Sequence, residues 1–316
     1  MPALATHDLT KDYAVGFWRK RPYRALDRLT LNVEPGEVFG FLGPNGAGKT
    51  TTLKLLMQLV FPTGGRAEIL GRPLGDLDVK RRIGYLPENP YFYDYLTAEE
   101  LLTYFAGLFG YRAQERRARA SRLLDEVGIG AERRLQLRKF SKGMLQRVGL
   151  AQALVNDPEI VLLDEPMSGL DPIGRRQVRD LFAALPAGGT TVFFSSHIIA
   201  DIEVLCDRVA ILTRGRLAHL GRLDDLRQRE DAAGHLEITV TGAGVAVLED
   251  ALRKVEGARV TATPAGARIA VPSERDVDPA LAAARGCGAR LVSVQPVRQS
   301  LEDLFVGEWR HALHAD

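Results

Sequence analysis

Three short runs of this chain are apolar at almost every position: "EVFGFLG" (Glu37–Gly43), "EIVLLDE" (Glu159–Glu165) and "TTVFFSSH" (Thr190–His197). A strand wet on one face alternates apolar with polar. A near-continuous apolar run of strand length fits a strand covered on both faces, as in a parallel sheet with crossover helices. Each run leads into a stretch with helical spacing; the first is followed by "KTTTLKLLMQLV" (Lys49–Val60). The pattern predicts an α/β fold. "RVAILTRGRLAHLG" (Arg208–Gly221) reads as a hairpin turning at Arg214 and Gly215.

Between the strands, residues of about 89–157 read as a helical subdomain. "LTAEELLTYFAGLFG" opens with Thr97 and has Glu100 three residues on, the spacing of a capping box. "RRARASRLLDEVG" closes on Gly128, and "KGMLQRVGLAQALV" (Lys142–Val155) is a third helical pattern. The texture changes after residue 222. A polar segment, 223–234, reads as a linker. Residues 235–316 then run strand, helix, strand, strand, helix, strand, the βαββαβ order of a small α+β domain, with a last helix over "SLEDLFVGEWRHAL" capped by Ser300.

Length and composition narrow the class. The 316 residues suit about two domains, and 46% hydrophobic with 26% charged residues is globular. A net charge of +2 gives no reason to expect nucleic acid as partner. Two cysteines far apart, Cys206 and Cys287, make no disulfide framework and no zinc spacing, which fits a reducing compartment. The N-terminal sequence lacks the apolar core of a signal peptide, and no run approaches the ~20 apolar residues of a membrane helix.

Candidate chemistry begins at "GPNGAGKT", Gly43, Pro44, Asn45, Gly46, Ala47, Gly48, Lys49 and Thr50. It fits G-x-x-x-x-G-K-[ST] and lies between an expected strand and an expected helix, the context such a phosphate loop requires. Glycines let backbone N–H groups converge on phosphate oxygens, and the helix start adds partial positive charge. Lys49 is suited to neutralise phosphate charge and the Thr50 hydroxyl to ligate Mg²⁺. At the end of the second run, Asp164 emerges where open α/β sheets bind ligands, with a carboxylate suited to Mg²⁺. Glu165 beside it is placed to polarise an attacking water.

The phosphate loop, "FSKGMLQR" (Phe140–Arg147), "IVLLDEP", "SGLD" (Ser168–Asp171) and "SSH" occur in that order. Together they resemble the ATP-binding cassette ATPases, the nucleotide-binding subunits of ABC transporters, over roughly residues 4–222. The resemblance implies a phosphate-loop NTPase cassette that binds ATP and Mg²⁺. It implies that two cassettes, alike or related, pack head to tail, with the "FSKGM" signature of one facing ATP on the other. On that basis the nucleotide contacts are Tyr13 against the adenine, Gly43 to Thr51 around the phosphates, and Ser141, Gly143, Met144 and Asp171 across the interface. Mg²⁺ falls to Thr50, Glu88 and Asp164, and catalysis to Glu165 and His197. Lys142 stands where the family usually has glycine, Met144 where it has glutamine, and Glu88, in "YLPENP", where it has glutamine. Lys142 either adds charge near the phosphates or points to solvent.

"NPYFYDYLTAEELLTYFAGLFGY" (Asn89–Tyr111) is rich in aromatic residues and falls where the family receives a membrane partner. "FWRKRPYR" (Phe17–Arg24), basic and aromatic, reads as a solvated hairpin tip, with anionic lipid head groups or nucleic acid as the other surfaces it could approach. Glu88, the signature and the C-terminal domain resemble ATPase subunits of ABC-2-type exporters. That implies a separate integral membrane permease, and a cytoplasmic location on the inner face of the cell membrane. A soluble DNA-repair or translation ATPase of the superfamily is the other reading. Such proteins carry paired cassettes, coiled coils or zinc insertions, none of which is seen here. A regulatory cassette without turnover conflicts with Lys49, Asp164, Glu165 and His197 all being present.

Overall fold

The computed structural model describes residues 1–16, 20–223, 225, 236–263 and 266–296, which divide into two compact units after Arg222. In the first unit a four-stranded antiparallel sheet has the order β2-β1-β4-β5, from β1 (Leu4–Val15), β2 (Arg21–Val33), β4 (Gly64–Ile69) and β5 (Arg72–Pro73). A six-stranded sheet has the order β10-β9-β3-β8-β7-β6. Its strands are β3 (Val38–Leu42), β6 (Ile83–Leu86), β7 (Ile160–Leu163), β8 (Thr191–Ser196), β9 (Arg208–Thr213) and β10 (Arg216–Arg222). The three apolar runs are β3, β7 and β8, adjacent and parallel, and every residue of the three is buried.

Both faces of β8 are covered, which explains its unbroken apolar sequence. On one face Phe193 stacks on Phe39 with ring centroids 5.5 Å apart. On the other Phe194 meets Phe182 of α6 (Pro172–Ala184) at 5.7 Å. The Phe39 side belongs to a continuous core that joins the two sheets and takes in Leu53, Leu55 and Leu56 of α1 (Lys49–Leu56). α1 is shorter than the pattern to Val60 implies. The chain turns at Gln58, φ +56, and leaves Leu59 and Phe61 exposed. The β9–β10 hairpin turns where expected, with Arg214 at φ +48 and Gly215 at φ +79, the double left-handed turn of a tight hairpin.

A short helix α2 (Leu77–Lys80) precedes β6, and the helical stretch comprises α3 (Ala98–Leu108), α4 (Ala113–Glu126) and α5 (Lys142–Ala153). The Thr97–Glu100 capping box forms, and Gly128 takes φ +70 just past α4. α7 (Ile199–Leu205) follows β8.

The second unit runs β11 (Leu236–Thr241), α8 (Val245–Ala251), β12 (Arg259–Thr263), β13 (Gly266–Val271), α9 (Val277–Gly286) and β14 (Arg290–Pro296). Its antiparallel sheet has the order β12-β13-β11-β14, the βαββαβ arrangement expected from the sequence. Ile238, Val240, Ile269 and Val271 form its core with Leu248, Ala280 and Ala284 of the helices. Most of the polar stretch 223–234, the tip residues 17–19 and the helix expected from Ser300 lie outside the described residues. Among the described residues no helix is long and apolar enough to cross a membrane.

Candidate functional site

The turn from β3 into α1 is built from glycines for a steric reason. Gly48 has φ +107, and a Cβ there would meet the Ala25 carbonyl oxygen at 2.5 Å. Any larger residue would push the loop off β2 and the β9–β10 turn, where the Gly215 N–H donates to Ala47 O at 2.8 Å. The loop forms one wall of a cleft of about 440 Å³. Pro44, Asn45, Gly46, Gly48, Lys49, Thr50 and Thr51 line it, with Tyr13, Glu88 and Glu165 opposite. All of these are sequence-expected residues. Gly43 and Ala47 are not among the lining residues: a Cβ on Gly43 would meet Leu212 O at 2.6 Å, and Ala47 is buried.

Lys49 is 5% exposed, and its Nζ donates to Gly43 O at 2.6 Å and Pro44 O at 3.3 Å. The same ammonium is 3.2 Å from Glu165 Oε1. Glu165 Oε2 lies 2.9 Å from His197 Nδ1, so the carboxylate spans the phosphate lysine and the β8-end histidine. Glu165 is 8% exposed, whereas His197 remains accessible. This brings together three side chains more than thirty residues apart in sequence. A carboxylate so held can accept a proton from water in the cleft, while Lys49 supplies positive charge to phosphate oxygens.

Asp164 is 1% exposed. Its Oδ1 accepts the Ser195 hydroxyl at 2.7 Å, and its Oδ2 is buried with no hydrogen-bond donor. A buried carboxylate oxygen without a donor is costly unless a cation meets it. Oxygen donors of the kind Mg²⁺ takes are present in Asp164 Oδ2 and, lining the cleft, in the Thr50 hydroxyl and the Glu88 carboxylate. Among the described residues no three His, Cys, Asp or Glu side chains form a closed cage. When bound, Mg²⁺ offsets phosphate charge. The Asp164 field is felt at Tyr85 on β6, whose phenol is pushed up to about 12, first by burial and then by that carboxylate.

Several contributors were not legible in the sequence motifs. Ser195 uses one hydroxyl twice, donating to Asp164 and accepting the Glu165 N–H at 3.0 Å. Its position in "SSH" beside the expected histidine was the available signal. Tyr23 and Ala25 also line the cleft. Tyr23 pairs directly with Tyr13 across β1 and β2, a register set by the hairpin. Lys11 Nζ sits 5.0 Å from the Tyr13 ring centre, a cation on the ring expected to meet adenine.

The other expected residues lie apart from this cleft. Ser141 caps α5, accepting the Met144 N–H at 3.2 Å, and Asp171 caps α6, accepting the Gly174 N–H at 2.8 Å. Gly143 packs on the "SGLD" turn, where a Cβ would meet Gly169 O at 2.9 Å. Lys142 is exposed and lays its alkyl stem over Gly169.

A family model described as ABC transporter matches residues 26–168. The chain is 45% identical over 307 residues to an ABC transporter ATP-binding protein of Synechocystis sp., across 96% of this chain and 84% of the relative. It is 38% identical over 249 residues to the bacitracin transport ATP-binding protein BcrA of Bacillus licheniformis, 78% of each chain. The fold is similar to the ATP-binding cassette MJ0796 in its dimeric post-hydrolysis state bound to ADP and Pi. The TM-score is 0.65 at 28% identity, over 70% of this chain and 98% of that one. With a phosphate loop and Glu165 lining one cleft, and His197 held against Glu165, the chain belongs to the ABC transporter ATP-binding proteins and is an ATPase that works on ATP with Mg²⁺.

Proposed function

We propose that this ATPase pairs head to tail with a second cassette around two MgATP, and that closing and opening of the pair drives export through a separate membrane permease. The observation that carries this reading is a division of labour within one chain. Lys49, Glu165 and His197 meet at the cleft, while Ser141, Gly143 and Asp171 stand outside it at two capped helix starts. The Ser141 hydroxyl accepts from Met144 and keeps its own proton to donate. A phosphate on a partner chain is a suitable acceptor, with the start of α5 behind it. Each such charge-assisted bond contributes about 1.5–3 kcal/mol, enough for loss of the γ-phosphate to loosen the pair. In this reading Tyr13 stacks on the adenine, Thr50, Glu88 and Asp164 hold Mg²⁺, and Glu165 accepts the proton of the attacking water.

The permease reading draws on exposed aromatics. Tyr91 is 94% exposed, and Tyr93, Tyr95 and Tyr104 each more than half, on the loop before α3 and on α3 itself. That concentration suits a protein interface. Docking there would hold the ATPase at the inner membrane surface. The relative named for bacitracin transport supports a transport role, with cargo selected by the permease. The unit from 223 on would support or regulate the pair.

Glu165→Gln is the test. ATP turnover is expected to fall about 10²–10⁴-fold. On gel filtration the variant is expected to shift to a dimer with MgATP but not with MgADP. Turnover at the wild-type rate, or a monomer with MgATP, would overturn the reading.

A further inference from the structure

Gln146 is a buried polar side chain that the cleft does not use. It is 1% exposed on α5, three residues beyond Gly143, and its Nε2 donates to the main-chain carbonyl of Glu165 at 3.2 Å. The Ser168 N–H donates to the same carbonyl at 3.0 Å. On the other side of the residue, the Glu165 N–H is held by Ser195. Glu165 itself has φ +49, a left-handed conformation uncommon outside glycine. Pro166 comes next, and the residue before a proline favours extended backbone. Strained backbone of this kind persists where its surroundings over-determine it. Three hydrogen bonds do so here. One comes from the "SGLD" turn, one from β8, and one, from Gln146, from the helix that Ser141 opens.

We propose that Gln146 is a positioning residue that relays the state of one nucleotide site to the other. The inference rests on the dimer reading above. There, Ser141 and Gly143 grip the nucleotide on the partner's phosphate loop. α5 is a single helix of twelve residues, so a pull at its start moves Gln146 with it. Gln146 then sets the Glu165 peptide of its own chain, and with it the carboxylate between Lys49 and His197. The nucleotide on the partner thereby decides whether this chain's water-activating carboxylate is in register. Release of the partner's γ-phosphate slackens α5 and lets the strained peptide relax. The two sites are linked through the interior of each protomer as well as across the interface.

The test uses the full chain with Gln146→Met, close in length but without a donor. With MgATP, kcat is expected to fall about tenfold, the scale of one lost hydrogen bond, with KM changed less than about twofold because the phosphate loop is untouched. The Hill coefficient for ATP is expected to drop towards one. Gln146→Met combined with Glu165→Gln is expected to form the MgATP dimer as Glu165→Gln alone does, since the grip on the partner's nucleotide stays intact. Gln146→Asn, too short to reach the carbonyl, should reproduce the kcat loss and replaces the methionine variant if that one is insoluble. A wild-type kcat and Hill coefficient would overturn the relay. So would a double variant that no longer dimerises, since Gln146 would then act through folding of α5. If Glu165→Gln alone fails to dimerise, it is the dimer reading that falls, which separates the two outcomes.

Discussion

Glu165 shows how closely one residue is set by its neighbours. Its two carboxylate oxygens face Lys49 and His197, and its peptide is tethered on both sides. Asp164, one position earlier, is buried, with one oxygen accepting from Ser195 and the other unmatched by a donor. Two adjacent acids thus sit in different settings, which suits the proposed roles of proton acceptor for Glu165 and cation ligand for Asp164. Tyr85 reports on the second. Its folded pKa is raised to about 12, while an unfolded tyrosine titrates near 10. Between those values the folded chain keeps a proton that the unfolded chain has lost. Stability from this group is therefore complete below about pH 10 and is lost as pH rises towards 12. Urea unfolding at several pH values across that window is expected to show a steeper loss for the wild type than for Tyr85→Phe.

At the level of elements, the functional helices begin with side-chain caps. Ser141 opens α5, Asp171 opens α6 and Thr97 opens α3. A cap fixes where a helix starts, so it fixes what the first turn presents. For α3 the cap is reciprocal: Thr97 Oγ1 accepts the Glu100 N–H at 3.2 Å, and the Glu100 carboxylate accepts the Thr97 N–H at 2.8 Å. The Glu100 carboxyl is held below its usual range, chiefly by that Thr97 backbone hydrogen bond. Thr97→Ala is expected to cost about 1 kcal/mol in denaturant unfolding. ATP hydrolysis by the isolated chain should be nearly unchanged, because α3 lies outside the cleft. A large fall in that activity would show that the helical stretch controls the cleft more directly than its geometry implies.

For the whole molecule, the first unit contains both sheets, their shared core and every residue lining the cleft. The second has a separate core of its own. A chain ending at Arg222 is therefore expected to fold and to bind a fluorescent ATP analogue within about threefold of full length, a difference of under ~0.7 kcal/mol. Complete loss of binding would mean that the first unit depends on the second for its fold. Any effect of the truncation is expected in dimer formation, where the accessory unit is proposed to act.

The amino-acid sequence by itself determined the local parts. Runs such as "TVFF" can be satisfied only between two apolar layers, and glycines at 46 and 48 can take backbone paths closed to other residues. Ser and Thr at helix starts carry their caps within a few residues. These are short-range demands, and a linear pattern expresses them. What the tertiary structure alone decided is which distant groups share space. The crossover order of β7, β8 and β3 brings Asp164, Ser195 and the phosphate loop side by side. The hairpin register sets Tyr23 beside Tyr13, and α5 lays Gln146 on the peptide of Glu165. Hydrogen bonds act over about 3 Å whatever the sequence separation, so their partners emerge only once the chain has closed on itself.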